Sequence, residues 1–224
     1  MINRKTRRWI GAVLWVVLFG LASCGRETVE SDREAGREAR LSPDYAGVTM
    51  PANIAPLNFC VLEEGQAYSL TLRGDRGSPI TVSSRTGQMC IPARPWRSLL
   101  DANRGGKVFF DIYVQNADRQ WMHFQTITNR VAREDIDGTL VFRFMKPLYN
   151  WWKDIGIYQR DLTGFETSAV LRGRSFGQGC LNCHSFVGND PSTMSVSLRS
   201  AAYGSDTLLA RDGHDVILVA RNEE

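Results

Sequence analysis

The sequence predicts a mainly β protein, and three observations carry that prediction. Between about residues 53 and 145 the apolar residues recur at every second position. Turn-forming clusters punctuate those runs: RGDRGSP at 73–79, RTG at 85–87, NAD at 116–118 and DG at 137–138. Helical periodicity is nearly absent there. Period-two alternation over short runs marks strands with one buried face, and Gly, Pro, Asn and Asp mark the turns between them. Short strands with regular turn signals predict an antiparallel sandwich of immunoglobulin or fibronectin type over residues 48–147. A smaller segment follows over 148–224.

Within the sandwich, YSLTLR sets Tyr68, Leu70 and Leu72 on one face, and VFFDIYV does the same for Val108, Phe110, Ile112 and Val114. TLVFRF aligns Leu140, Phe142 and Phe144 as a third buried row. The one helical pattern, RPWRSLLDA, is expected to form a turn or two. His123, in WMHFQ, reads as an ordinary strand histidine. No nucleophile-elbow serine and no paired carboxylates stand out, so the domain offers no catalytic constellation.

Upstream, residues 1–23 read as an export signal. A basic start (Arg4, Lys5, Arg7, Arg8) leads into an apolar run from Trp9 to Leu21 and then small residues. That run has 13 residues, short of the ~20 that span a bilayer; an uncleaved anchor is the alternative. LASC, ending at Cys24, resembles the lipobox of bacterial lipoproteins, in which the cysteine is acylated and becomes the new N-terminus. Two or more acyl chains give a stable hold on a membrane. Residues 24–47 would then be the lipidated cysteine and a polar tether, because GRETVESDREAGREARL carries no aromatic residue. The location expected is the cell envelope, facing the periplasm or the exterior. The formal charge of +3 shrinks once the leader is discounted: 27 basic residues less those four leave 23 against 24 acidic ones. No basic stripe with interleaved aromatics is present, so a nucleic-acid partner is not expected.

The chemistry-bearing stretch is GQGCLNCHSF at 177–186, with Cys180, Cys183 and His184 in C-x-x-C-H order. With 5 Cys and 3 His in 224 residues, chance would produce that order in roughly one such chain in a thousand. It is the spacing of covalent haem c attachment. Two thiols reach the two vinyl groups on one edge of a porphyrin, and the adjoining imidazole becomes the proximal iron ligand. Zinc needs four ligands in a tetrahedron, and no second C-x-x-C is present. A thioredoxin-type dithiol wants a βαβ setting, whereas a glycine-rich stretch precedes this motif. Cys60 and Cys90 remain, and in an oxidising compartment they are a possible disulfide, which would add about 3.5 kcal/mol on the chain-entropy model; two buried free thiols are the alternative. For the far side of the iron, Met194 is the first candidate, His214 the second and an open position the third. Tyr149, Trp151, Trp152, Tyr158 and Phe165 are candidates for an apolar wall beside the porphyrin, and Arg160 and Arg174 for propionate partners.

PDYAGVTMPANIAPLNF (43–59), DIGIYQRDLTGFE (154–166) and CLNCHSF (180–186) resemble, in that order, blocks of a group of exported bacterial lipoproteins labelled TolB-like or cytochrome c biogenesis-type. The resemblance implies an N-terminal β module, a single haem-attachment motif and, in longer members, a following β-propeller. Ser197 stands where those proteins tend to carry a histidine, so the distal ligand does not transfer. The function expected is that of a membrane-tethered monohaem c-type cytochrome, passing one electron to or from a redox partner. The alternatives are a binding or scaffold lipoprotein with a structural or sensory haem and, less supported, a peroxidase-type enzyme. The latter would want a distal His/Arg pair, which the sequence lacks.

Overall fold

The computed structural model describes residues 29, 31–145, 155–190, 192–211 and 215–219. Cys24, His214 and the stretch holding Tyr149, Trp151 and Trp152 lie outside them. The described residues form seventeen strands, one α-helix and two short 3-10 turns, so the chain is mainly β as expected.

The largest sheet has seven strands: β1 (Arg33–Glu34), β3 (Thr49–Met50), β5 (Ala67–Gly74), β6 (Ile80–Ser84), β8 (Lys107–Gln115), β9 (Trp121–His123) and β10 (Ile127–Val131). β8 is the central strand. β5 runs antiparallel along one side, while β10 and then β9 pair along the other. Val108, Phe110, Ile112 and Val114 are at most 4% exposed, and Tyr68, Leu70 and Leu72 at most 7%, so the alternation sorts these faces as predicted. A three-stranded sheet of β2 (Leu41–Ser42), β4 (Phe59–Val61) and β7 (Gln88–Met89) contributes to the same core. Phe59 stacks on Phe110 there with ring centroids 6.1 Å apart.

Helix α1 (Ala93–Ala102) covers the rest of that core, burying Trp96, Leu99 and Leu100 at helical spacing. It is ten residues long, more than the turn or two expected, because this one apolar face has a waiting core to fill. The Trp96 indole N–H donates to the Ile54 carbonyl at 3.0 Å. Asn103 caps the helix end: its amide donates to the Leu99 and Arg76 carbonyls, and its side-chain oxygen accepts from the Arg76 N–H. Gly74 is required beside it, since a side chain there would collide with the Asn103 amide.

A second core lies C-terminal to the first. β11 (Thr139–Phe144), β12 (Gly156–Asp161) and β13 (Thr167–Arg172) form one sheet. β14 (Cys180–Phe186), β15 (Thr193–Ser200), β16 (Gly204–Arg211) and β17 (Asp215–Val219) form an antiparallel meander. Between them lie Ile157, Leu171, Leu181, Met194, Val196, Leu198 and Leu208. Hydrogen bonds join the two cores: the Ala55 N–H donates to the Leu162 carbonyl at 2.8 Å, and the Arg97 guanidinium donates to the Thr163 carbonyl at 3.0 Å.

Four expectations change. β11, expected inside the sandwich, pairs with β12 along its whole length. Its buried row is also reversed. Leu140 and Phe144 are 49% and 40% exposed, while Val141 packs on the second core. Period two says which residues share a face, not which face meets a core. The large sheet is not purely antiparallel, because β1 on β9 and β3 on β10 are parallel pairs. Finally, the polar tether is shorter than residues 24–47. Ala39 and Leu41 are buried, and β1 is laid along β9, since backbone pairing to a sheet edge needs no apolar side chain.

Arg37 fastens this N-terminal run. It bonds both oxygens of Glu63 at 2.6 and 2.8 Å, and the Arg40 backbone N–H adds a third donor at 2.9 Å. The Arg37 side chain, against the cost of burial, holds the Glu63 carboxyl down to about 2. A depressed carboxyl stabilises the fold fully above its ordinary value of 4.5, and the contribution is lost as pH falls through about 2.

Two outcomes follow from this packing. Phe110→Ala should lower unfolding free energy by about 3–5 kcal/mol in urea titration, whereas Leu140→Ala on the open face should change it by no more than about 0.5 kcal/mol. Glu63→Gln should cost roughly 1–3 kcal/mol at neutral pH and should flatten the loss of stability between pH 4.5 and 2.

Candidate cofactor attachment site

β14 carries the whole motif. The 3-10 turn Gly173–Phe176 leads into it through Gly177 and Gln178, both with positive φ (63° and 59°), and the Gly179 N–H bonds back to the Gly173 and Phe176 carbonyls at 3.0 and 3.1 Å. At Gly177 a side chain would also meet Ala202 at 2.8 Å, so GQG is a tight corner that aims the chain into the strand.

The strand is interrupted at the motif. Cys180 and Leu181 face Arg199 and Leu198 of β15, and pairing resumes with His184 opposite Val196. Three residues of β14 therefore advance against two of β15, which is a β-bulge. Leu181 is fully buried beneath it. Asn182 and Cys183 bulge out and are exposed, while Cys180 and His184 are half-buried. Both thiols are free. At about 3.3 Å per paired step, Cys180 and Cys183 stand roughly 7–9 Å apart along the strand, beyond the Cα separation a disulfide tolerates. The bulge thus presents two separate thiols rather than a closed redox pair. His184 shares its face with Phe186, whose ring stands edge-on at 6.3 Å between centroids and 82° between planes. The donor set suits covalent haem: two unbonded sulfurs spaced along one edge, followed by an imidazole with aromatic support.

The other predicted residues are distributed as follows. Met194 lies opposite Phe186, is 5% exposed and packs in the second core. It stands on the same sheet face as His184, one diagonal step away. Ser197 is exposed on β15, opposite Thr207. Tyr158 is half-buried on β12, stacked on Phe142 at 6.1 Å and edge-on to Phe144 at 5.5 Å. Phe165 is 53% exposed in the β12–β13 turn. Arg160 and Arg174 are exposed, on β12 and in the 3-10 turn. Of the expected aromatic wall, the described part belongs to the β11–β13 sheet. Sequence reasoning misses Phe142 and Phe144 as its members because it pairs β11 with the sandwich.

Cys60 and Cys90 are both free thiols, so of the two alternatives the unpaired one is present. The register of β4 and β7 sets Cys60 opposite Gln88. Cys90 is thus two residues displaced, a diagonal of about 7–8 Å, past the Cα separation a disulfide tolerates. Among the described residues no three His, Cys, Asp or Glu side chains gather as a cage for a metal ion, and no helix is long and apolar enough to cross a membrane. No model of a known protein family matches the chain, and no curated protein is similar to it.

Met194→Ala should cost about 2–5 kcal/mol as a core truncation. In haem-loaded protein it should leave the positions of the visible bands unchanged; a shifted spectrum would restore Met194 as an iron ligand.

Proposed function

We propose that the chain is a membrane-tethered monohaem c-type cytochrome that transfers single electrons outside the cytoplasm. The observation that carries this reading is the bulged C-x-x-C-H strand, in which Cys180 and Cys183 are free, separated and open to attachment and His184 adjoins them. When bound, haem c supplies an iron that gains and loses one electron, with a potential set by ligands, burial and nearby hydrogen bonds. The chain's own part is positional. Cys180 and Cys183 would anchor the group, His184 would supply the proximal nitrogen, and Leu181 fastens the strand to the core behind them.

The remaining parts fit that role. An immunoglobulin- or fibronectin-like sandwich is the scaffold, supported by two sheets sharing one core, although its parallel pairs β1–β9 and β3–β10 depart from the simplest version. A lipid on Cys24 would hold the protein to a bacterial membrane, and the resemblance to exported lipoproteins agrees with that placement. Six residues lie between Cys24 and Ser31, and a fully extended chain over that stretch reaches at most about 25 Å.

A second reading, a binding or scaffold lipoprotein with a structural or sensory haem, is favoured by one observation. The outward row of β11 exposes Leu140 and Phe144, with Phe142 and Tyr158 stacked beside them, and exposed apolar strips of this kind mark contact surfaces.

Chain matured in a bacterial host competent for haem c assembly should be coloured, give a c-type pyridine haemochrome and gain the mass of one haem. Cys180→Ala/Cys183→Ala should lose the covalent colour. Sharp reduced bands that carbon monoxide does not shift support the electron carrier, and a shift supports the sensory reading. Colourless protein with the mass of the bare polypeptide overturns both.

A further inference from the structure

The sheet of β11, β12 and β13 turns one face to the second core and the other away from it. Val141, Ile157 and Leu171 share the inward face. The outward face is built of three cross-strand rows. Leu140 lies opposite Arg160, which lies opposite Thr167. Phe142 lies opposite Tyr158, which lies opposite Ala169. Phe144 lies opposite Gly156, which lies opposite Arg172.

The middle of this face is aromatic. The Tyr158 ring stacks on Phe142 with centroids 6.1 Å apart and meets Phe144 edge-on at 5.5 Å. Gly156 leaves room for that ring, since a Cβ there would come within 3.1 Å of it. The face is also where apolar exposure gathers. Among the described residues, five of the eight large apolar side chains left exposed belong to this sheet or lie next to its strands: Leu140, Phe144, Met145, Phe165 and Val170. Contiguous exposure of that kind marks a contact surface rather than the scattered apolar residues of an ordinary exterior.

Charge decides what the surface fits. Arg160 and Arg172 are exposed at opposite ends of the outward face. The carboxylates of the sheet are elsewhere: Asp161 and Glu166 line a separate polar pocket with Thr139 and Gln159, in the inward alternation. An aromatic strip flanked by guanidiniums, with no carboxylate among the described residues of its rows, suits an anionic partner. A second copy laid face to face would set arginine against arginine with no acid to receive either. At a bilayer surface, aromatic rings settle at headgroup level, apolar side chains enter the boundary with the acyl chains, and each guanidinium meets lipid phosphate. Arginine can also lay its apolar stem along the strip while its charged end stays in the headgroup layer.

The geometry points to an anionic lipid surface as the occupant of this face, with β11–β13 laid on the membrane through Leu140, Phe142, Phe144 and Tyr158 and held there by Arg160 and Arg172. The docking rests on one part of the proposed function, that the chain is held at a membrane, and on neither the haem nor the kind of anchor.

Hydroxyl-radical footprinting of the full chain reads the exposure of these side chains directly. The chain is floated with vesicles of phosphatidylcholine alone and with vesicles of equal parts phosphatidylcholine and phosphatidylglycerol. Modification of Leu140 and Phe144 should fall about tenfold on the anionic vesicles relative to the neutral ones. Tyr203, exposed beyond β15 across the second core, should be modified equally on both. Arg160→Gln/Arg172→Gln, altered only at exposed positions, should lower the ratio of docked to free face roughly thirtyfold and return Leu140 and Phe144 to their neutral-vesicle level. Equal modification on the two vesicle types in a chain that floats with both overturns the docking and leaves the tether standing. A chain that floats with neither overturns tether and docking together. Protection that persists in detergent without vesicles and fades on dilution assigns the face to a second copy and overturns the proposal.

Discussion

Everything in the larger core is referred to β8. Its nine residues pair with β5 along one side and with β10 and β9 in succession along the other, so one strand sets the register of most of its sheet. Its inward row of Val108, Phe110, Ile112 and Val114 is the floor on which Phe59, Met89 and helix α1 pack. A shift of one residue would exchange that row for Phe109, Asp111 and Tyr113. It would bury the Asp111 carboxylate without Arg73 and Thr126, and unpaired buried charge is far costlier than a lost contact. The polar outer row thus enforces the register as firmly as the apolar inner one.

The C-x-x-C-H strand depends on a quite different device. In a regular strand, Cys180, Cys183 and His184 would be held to strict alternation. The bulge between Leu181 and His184 breaks that alternation once and places Cys183 outward, while Leu181 on one side and Phe186 on the other stay tied to the second core. A rigid strand on a packed sheet is a better platform for a covalent group than a loose loop, because the group's position is then set by the core. Met194, Val196 and Leu198 of β15 supply that support from the neighbouring strand.

The N-terminal run shows how differently two ion pairs behave in one short segment. Glu63 is nearly buried, accepts three strong hydrogen bonds and keeps its charge down to about 2. Glu34 is largely exposed and faces a histidine. Burial and donor number set the first pair apart, whereas the carboxylate of the second is open to solvent.

Period-two alternation makes β5 and β8 legible in the order of residues alone, because a strand buried on one face has to write that face into every second residue. The C-x-x-C-H order is legible because it is a matter of residue types at fixed local spacing. The expected export signal is equally local, a basic start followed by an apolar run. Tertiary structure alone decided the rest. It set β11 against β12, so that Val141 and not Leu140 turned inward. It drew β1 onto β9 through backbone bonds that no side-chain pattern announces. It placed Cys60 diagonal to Cys90 and Met194 beside His184 rather than across from it. Periodicity and motif spacing are properties of neighbours along the chain, whereas the choice of partner strand is made between segments far apart in sequence, by whichever pairing buries most and leaves fewest polar groups unmatched.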